Sequence, residues 1–342
     1  MERQCDWPRR VNKSGTDDWQ PPAEPYVAPQ EQRDLFPDVS GNAINGLGES
    51  TVRRPEPIYH HDPERTRFGA LQTWFRGLPG HPLIDQARRD RIPIMEEQLA
   101  PLAPEPEQRS PADWSAVVKE QASILGAELA GITPLRPEWV FEGFEITQKW
   151  VVVLGIAMDY VEQSTAPHPR SIAEVVRQYG RGTHVAKRLA SWLRTKGWDG
   201  LPHGGPEAGP ILMIPPALAC GFGELGKDGS IINRDLGSCF RLAYVLTDVP
   251  LVADVPDVFG ADDFCMNCRI CEKACPPDAI TPTKHLVRGE TKWYVDFDKC
   301  VPYFNDTTGC GICIAVCPWS RPGVAPNLTK KLARRRARQD AA

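Results

Sequence analysis

Eight cysteines in the last quarter of the chain restrict its folding more than any other feature: Cys265, Cys268, Cys271 and Cys275, then Cys300, Cys310, Cys313 and Cys317. They lie in the stretches CMNCRICEKACP and CVPYFNDTTGCGICIAVCP, each closing on a C-x3-C-P step at Cys275-Pro276 and Cys317-Pro318. This is the bacterial spacing by which thiolates hold [4Fe–4S] clusters, and two such clusters need the eight thiolates present. Three close-set cysteines of a run wrap one cluster, while the fourth, carried past it by the next turn of helix, reaches the other. Cys265, Cys268, Cys271 and Cys317 are therefore expected around one cluster, and Cys300, Cys310, Cys313 and Cys275 around the second. Structural zinc uses C-x2-C pairs set well apart, and a secreted disulfide framework needs an export signal; neither accounts for this pattern.

The 342-residue chain has room for two or three domains, and 41% hydrophobic residues suffice for an ordinary core. Cys5, Cys220 and Cys239 fall outside the cluster runs and read as small buried hydrophobes without a role. A net charge of −4 does not point to bulk binding of nucleic acid, and no DNA partner is expected. The longest apolar stretch, Trp150 to Met158, is far too short for a transmembrane segment. Arg9-Arg10 is followed by polar residues where a twin-arginine signal has its apolar region, so a cytoplasmic location is expected.

Residues 1–109 are rich in proline, charge and turn formers and cannot close a core of their own; they are either disordered or laid over the rest as an extended wrap. Phe68, Trp74 and Phe75 favour the wrap. Residues 110–258 read as one α/β domain. Ser110-Pro111 is a helix start, and Trp114, Val117, Val118, Ala122 and Leu125 recur at helical spacing until Gly126. Lys149 to Met158 is a near-continuous apolar run that fits a strand buried on both faces. A second helical stretch from Ser171 carries Ile172, Val175, Val176 and Tyr179 on one face, and the pattern resumes at Val185 after an expected interruption at Gly180-Arg181-Gly182. Trp198 to Pro210 reads as loop, with short strands expected at Gly229 to Ile232 and Leu242 to Thr247. Residues 259–322 hold the cysteine runs, and 323–342 form a basic tail.

Gly221-Phe222-Gly223-Glu224-Leu225-Gly226 matches G-x-G-x-x-G, with Asp248 near the position of a ribose-binding acid. A dinucleotide loop opens a helix directly, whereas Lys227 to Asn233 reads as a turn into a strand. Gly221, Gly223 and Gly226 are instead candidates for close backbone approach to another bulky cofactor.

Taken together, these features resemble the reductive dehalogenases, corrinoid-dependent iron–sulfur enzymes related to the epoxyqueuosine reductases. The resemblance covers about residues 110–320 and is carried by SPADWSAVVKEQASILGAELAGITPL, VVVLGIAMDY, GFGELGKDGSIINRDLGS with FRLAYVLTDVPL, and the two cluster stretches, which are the most specific. The nine residues between Cys300 and Cys310 look like the dehalogenase pattern; the queuosine enzymes usually carry a longer insert. The resemblance implies an α+β nitroreductase-like domain that binds cobalamin (a corrinoid) without a histidine beneath the cobalt, joined to a C-terminal ferredoxin-like domain with two [4Fe–4S] clusters. It implies replacement of a carbon-bound halogen by hydrogen on a small, aromatic organohalide, with a tyrosine as proton donor and a nearby cation. Tyr179 and Arg241 occupy those positions, and His203 lies near a further polar pocket position. A packed core tyrosine is the alternative for Tyr179, a surface ion pair or a cofactor anchor for Arg241, and a solvated loop histidine for His203. Respiratory members carry an export signal and a membrane anchor, and longer members a fused reductase; lacking these, the chain is expected to take electrons from a separate ferredoxin, flavodoxin or reductase. Epoxyqueuosine-type chemistry on tRNA, or electron transfer without catalysis, are the competing readings.

Lys330 to Arg338 carries six positive charges. It reads as a solvated helix, with docking of an acidic electron donor or contact with tRNA phosphate as alternatives.

Overall fold

The computed structural model describes residues 26–207 and 209–340, so Cys5 and Arg9-Arg10 lie outside the described residues. Residues 26–109 run over the surface of the central and C-terminal regions, as four helices joined by extended chain: α1 (Gln30–Arg33), α2 (Gly41–Ile44), α3 (Gly69–Arg76) and α4 (Pro82–Glu96). Having no core of their own, they share one. Phe68 and Leu71 are fully buried in a cluster with Ile44, Tyr59 and Val301. The polar contacts are equally long-range: the buried Gln32 amide donates to Pro302 O at 3.0 Å, and Tyr59 Oη donates to Asn305 Oδ1 at 2.8 Å.

The central domain begins as its sequence indicates. Ser110 Oγ accepts from the Asp113 amide and caps α5 (Pro111–Ile124), and Gly126 takes φ +102° just past its end. There follow β1 (Leu129–Pro134), β2 (Trp150–Ala157), α6 (Tyr160–Gln163), α7 (Pro169–Thr195), β3 (Gly200–Gly204), α8 (Ile214–Ala219), the short hairpin β4 (Glu224–Leu225) and β5 (Ile231–Ile232), and β6 (Phe240–Thr247). The main sheet has order β1-β2-β6-β3, with every pair antiparallel. β2 is buried on both faces: Val152, Leu154 and Ile156 meet the α5–α7 side, and Val151 and Val153 meet the α8 side. A continuous apolar run thus signals a strand covered on both faces, in an antiparallel sheet as well as in a parallel one.

Two expectations are corrected. α7 runs unbroken for 27 residues through Gly180-Arg181-Gly182. The glycines are packing positions: a Cβ on Gly182 would lie 3.2 Å from Ala243 Cβ on β6, and one on Gly180 would lie 2.9 Å from the Arg91 side chain of α4. Each costs about 1 kcal/mol of helix propensity, which close approach to the sheet and to α4 offsets. The segment 198–210 is not all loop, because Gly200–Gly204 pairs with Ala243–Thr247 as an edge strand.

The C-terminal region comprises α9 (Ala261–Asn267), α10 (Ile270–Ala274), the hairpin β7 (His285–Val287) and β8 (Glu290–Lys292), α11 (Phe297–Asp306), α12 (Ile312–Val316) and α13 (Val324–Asp340). Among the described residues, no helix is long and apolar enough to cross a membrane.

Candidate functional site

Each cysteine run supplies a short helix and a sharp turn. Cys265 lies on α9 and Cys268 just past its end, Cys271 lies on α10 and Cys275 just past its end; Cys300 lies on α11, Cys310 precedes α12, Cys313 lies on it and Cys317 follows it. Burial pushes the Cys265, Cys271, Cys310, Cys313 and Cys317 thiols up in pKa, Cys265 to about 12, and nearby charges, of Asp228 and of neighbouring thiols, add to the effect. Cys271 responds to Cys317, Cys265 and Cys268, while Cys310 responds to Cys300 and Cys275. At Cys313 burial is joined by the charges of Asp228, Cys310, Cys300 and Cys271. The assignment of four soft thiol donors to each cluster remains the reading from the spacing. Bound iron reverses the cost of ionising them, because the metal's own charge dominates the local field.

The glycine loop serves a different purpose from the expected one. Gly221, Gly223 and Gly226 are not among the residues lining the large cavity beside Tyr179. Gly223, at φ +128°, brings its backbone so close to Ile232 that a Cβ would lie 1.9 Å from the Ile232 carbonyl oxygen. This tight hairpin presents Glu224, whose Oε1 accepts from the amides of Phe259, Gly260 and Ala261 at 2.6–2.9 Å, while Oε2 accepts from Asp262. A buried carboxylate thus caps the amino end of α9 and fixes the first cysteine run to the central domain.

Tyr179 on α7 and Arg241 on β6 are brought together. The Arg241 guanidinium carbon lies 5.7 Å from the centre of the Tyr179 ring. Both line a cavity of about 430 Å³ whose walls also include Phe141, Leu212, Phe240 and Cys313. Cys313 therefore joins the second cysteine group to the cavity wall. Several polar wall residues escaped the sequence reading, among them Tyr59 and His60 from the wrap, and Asp228 and Ser230 from the turn after the glycine loop. The aromatic–histidine run Tyr59-His60-His61 in a proline-rich segment was the available signal. Burial, with Arg76 nearby, pushes the His60 imidazole down to about 4, so it is neutral.

His203 is placed elsewhere. It stacks on Tyr244 with ring centres 5.1 Å apart and lines a second cavity of about 430 Å³ with Arg91, Thr183 and Lys187. The two cavities adjoin at Gly205 and Glu207. Arg241 Nε and Asp228 Oδ2 are buried without hydrogen-bond partners among the described residues. Such atoms on a cavity wall fit a bound molecule rich in amide groups, and a corrinoid periphery is of that kind.

A helical and sheet domain joined to two sets of four cysteines defines the class as a dicluster iron–sulfur protein; the 4Fe-4S dicluster domain family matches residues 264–320. Within that class the relatives are specific. The chain is 32% identical over 210 residues to a tetrachloroethene reductive dehalogenase of Desulfitobacterium hafniense, covering 57% of this chain and 37% of that protein. It is 27% identical over 252 residues to an epoxyqueuosine reductase of Synechococcus sp., covering 62% and 77%. Among solved structures, the catabolic reductive dehalogenase NpRdhA in complex with 3-bromo-4-hydroxybenzoic acid has a TM-score of 0.69 at 22% identity, covering 87% of this chain and 46% of that one. Another, described as a reductive dehalogenase structure that suggests a mechanism for B12-dependent dehalogenation, has 0.68 at 23%, covering 87% and 46%. These structures share the fold. The resemblance read from the sequence is borne out: the chain has homologues among the reductive dehalogenases. It spans about half or less of the length of the dehalogenases it matches.

Proposed function

We propose that this chain is a corrinoid- and iron–sulfur-dependent reductive dehalogenase that replaces a carbon-bound halogen by hydrogen on a small, aromatic organohalide. One observation carries the reading: Tyr179 and Arg241 meet in a cavity whose wall includes Cys313 of the second cluster group. The nitroreductase-like character of the domain and the candidate site residues belong to the same proposal. The reaction consumes two electrons and one proton and yields a carbon–hydrogen bond and a halide ion. Cobalamin and the clusters, when bound, supply the reductive chemistry and the single electrons.

The chain's own residues do the rest. Tyr179 holds the proton on its phenol oxygen and delivers it to the carbon as the halide leaves. Arg241 offsets the negative charge left on the phenolate and adds a favourable field for the departing anion. Phe141, Leu212 and Phe240 exclude water from this corner and strengthen both effects. Asp228 and Ser230 would contact the corrinoid periphery; Gly221, Gly223 and Gly226 support it indirectly, by holding the hairpin that bears them.

The test is metal content and turnover of protein made anaerobically with cobalamin, beside a Cys268→Ser control. About one cobalt and about eight irons per chain, with release of bromide from 3-bromo-4-hydroxybenzoic acid, is the expected result. Iron without cobalt reduces the protein to an electron carrier. Cobalt with tRNA binding and no turnover of any organohalide transfers it to epoxyqueuosine-type chemistry.

A further inference from the structure

The two cysteine runs differ sharply in what lies between their ligands. In the second, Gly311, Ile312, Ile314, Ala315 and Val316 are all buried or half-buried. In the first, every residue between Cys265 and Cys271 other than Cys268 is exposed, including Met266 at 51% and Ile270 at 44%. The first cluster group therefore lies beneath an open surface loop, and the second faces the cavity through Cys313.

That loop has a charged neighbour. Leu328 and Leu332 of α13 pack against the cluster of Phe259, Ala261, Cys265 and Trp319, and Arg336 pairs with Asp263 at 3.3 Å. Asp263 is three residues before Met266 on α9, so this ion pair stands one helical turn from the exposed methionine. Arg334, Arg335 and Arg338 are exposed and have no ion pair among the described residues. All lie within two residues of Arg336, about 3 Å along the helix axis, so they add to the positive charge carried by this end of α13. The acidic groups on this face are already neutralised: Asp262 by Lys284, Asp263 by Arg336, and Glu272 by Lys227 and Arg269.

We propose that Met266 and Ile270, with the arginines of α13 beside them, form the docking surface for an acidic one-electron carrier protein, which reduces the first cluster group through the Cys265–Cys271 loop. An apolar centre over a redox group, rimmed by cations, suits a brief encounter steered by charge. Each encounter oxidises the carrier by one electron and reduces a cluster by one, and two encounters supply one dehalogenation. The inference rests on the two-cluster part of the proposed function and names its electron donor; it does not depend on the halide chemistry.

Flavodoxin hydroquinone is the probe, because its one-electron oxidation gives a semiquinone with its own absorbance. Mixed anaerobically in a stopped-flow instrument with oxidised holoprotein, it should reduce wild type at a second-order rate that falls steeply with added salt. The R334E/R335E/R338E variant should be slower by roughly tenfold or more at low salt, with a flattened salt dependence. Met266→Asp, on a different element, should be slower at every salt concentration. Dithionite, too small to need the surface, should reduce all three proteins at the same rate. Wild-type rates with flavodoxin in both variants, or a wild-type rate indifferent to salt, overturn the proposal. Charge-dependent reduction without organohalide turnover upholds this surface and removes the dehalogenase reading instead.

Discussion

At the scale of single residues, Tyr179 has the Arg241 guanidinium carbon 5.7 Å from its ring centre, and removing its hydroxyl tests the proposed chemistry apart from assembly. Tyr179→Phe keeps the ring and its packing but has no proton to give. Halide release should fall by about 10²-fold or more, while iron and cobalt content, measured by mass spectrometry, stay at wild-type values. Unchanged turnover would return Tyr179 to a purely packing role. Glu224 is the structural counterpart. Its carboxylate satisfies four backbone amides at the start of α9, and Glu224→Ala strands them. The expected loss is about 3 kcal/mol of stability, read as a lower melting temperature together with iron lost first from the Cys265 group.

At the scale of elements, α7 is the piece that positions the site. It lies across the sheet and carries Tyr179 on the side toward β6, and its closeness depends on Gly182. Gly182→Leu improves helix propensity by roughly 1 kcal/mol, but overpacks against Ala243 and Ile156 by about 1–3 kcal/mol. Net destabilisation is expected in a thermal melt, and with it a larger loss of turnover than stability alone explains, because the phenol moves off the cation. A more stable variant with full activity would show that the contact between α7 and the sheet is slack.

At the scale of the whole molecule, the wrap joins the cluster region to the central domain, and two of its histidines make that union sensitive to acid. Burial holds both His60 and His61 down to about 4, with Arg76 and Arg65 respectively adding to it, against about 6.5 in the unfolded chain. The unfolded chain therefore takes up protons that the folded one refuses as pH falls through 6.5. Stability should drop between pH 6.5 and about 4, by up to about 1.4 kcal/mol per histidine per pH unit, and level off below. Melting temperatures across that range measure it, and His61→Phe, set against Phe141, should flatten the curve. An unaltered slope in that variant would assign the acid sensitivity to other groups.

The sequence alone determined whatever depends on local spacing. Eight cysteines at fixed intervals specify a 4Fe-4S dicluster domain, because ligand spacing is set within a few residues. Ser110-Pro111 specifies a helix start, and the run from Trp150 to Met158 specifies a strand buried on both faces. Tyr179 and Arg241 came into the reading through resemblance to a family. Their meeting did not, because it joins residues 62 positions apart through the crossing of α7 on β6. Tertiary structure also decided the glycines. Gly180 and Gly182 look like helix breakers until the sheet and α4 come against them, and Gly221-Phe222-Gly223-Glu224-Leu225-Gly226 looks like a cofactor cradle until Glu224 is seen capping α9. His203 went to the adjoining cavity, while His60 reached the wall of the main one from a segment with no periodicity to betray it. A proline-rich wrap takes its shape from the surfaces it covers, and those surfaces are encoded far from it in the chain.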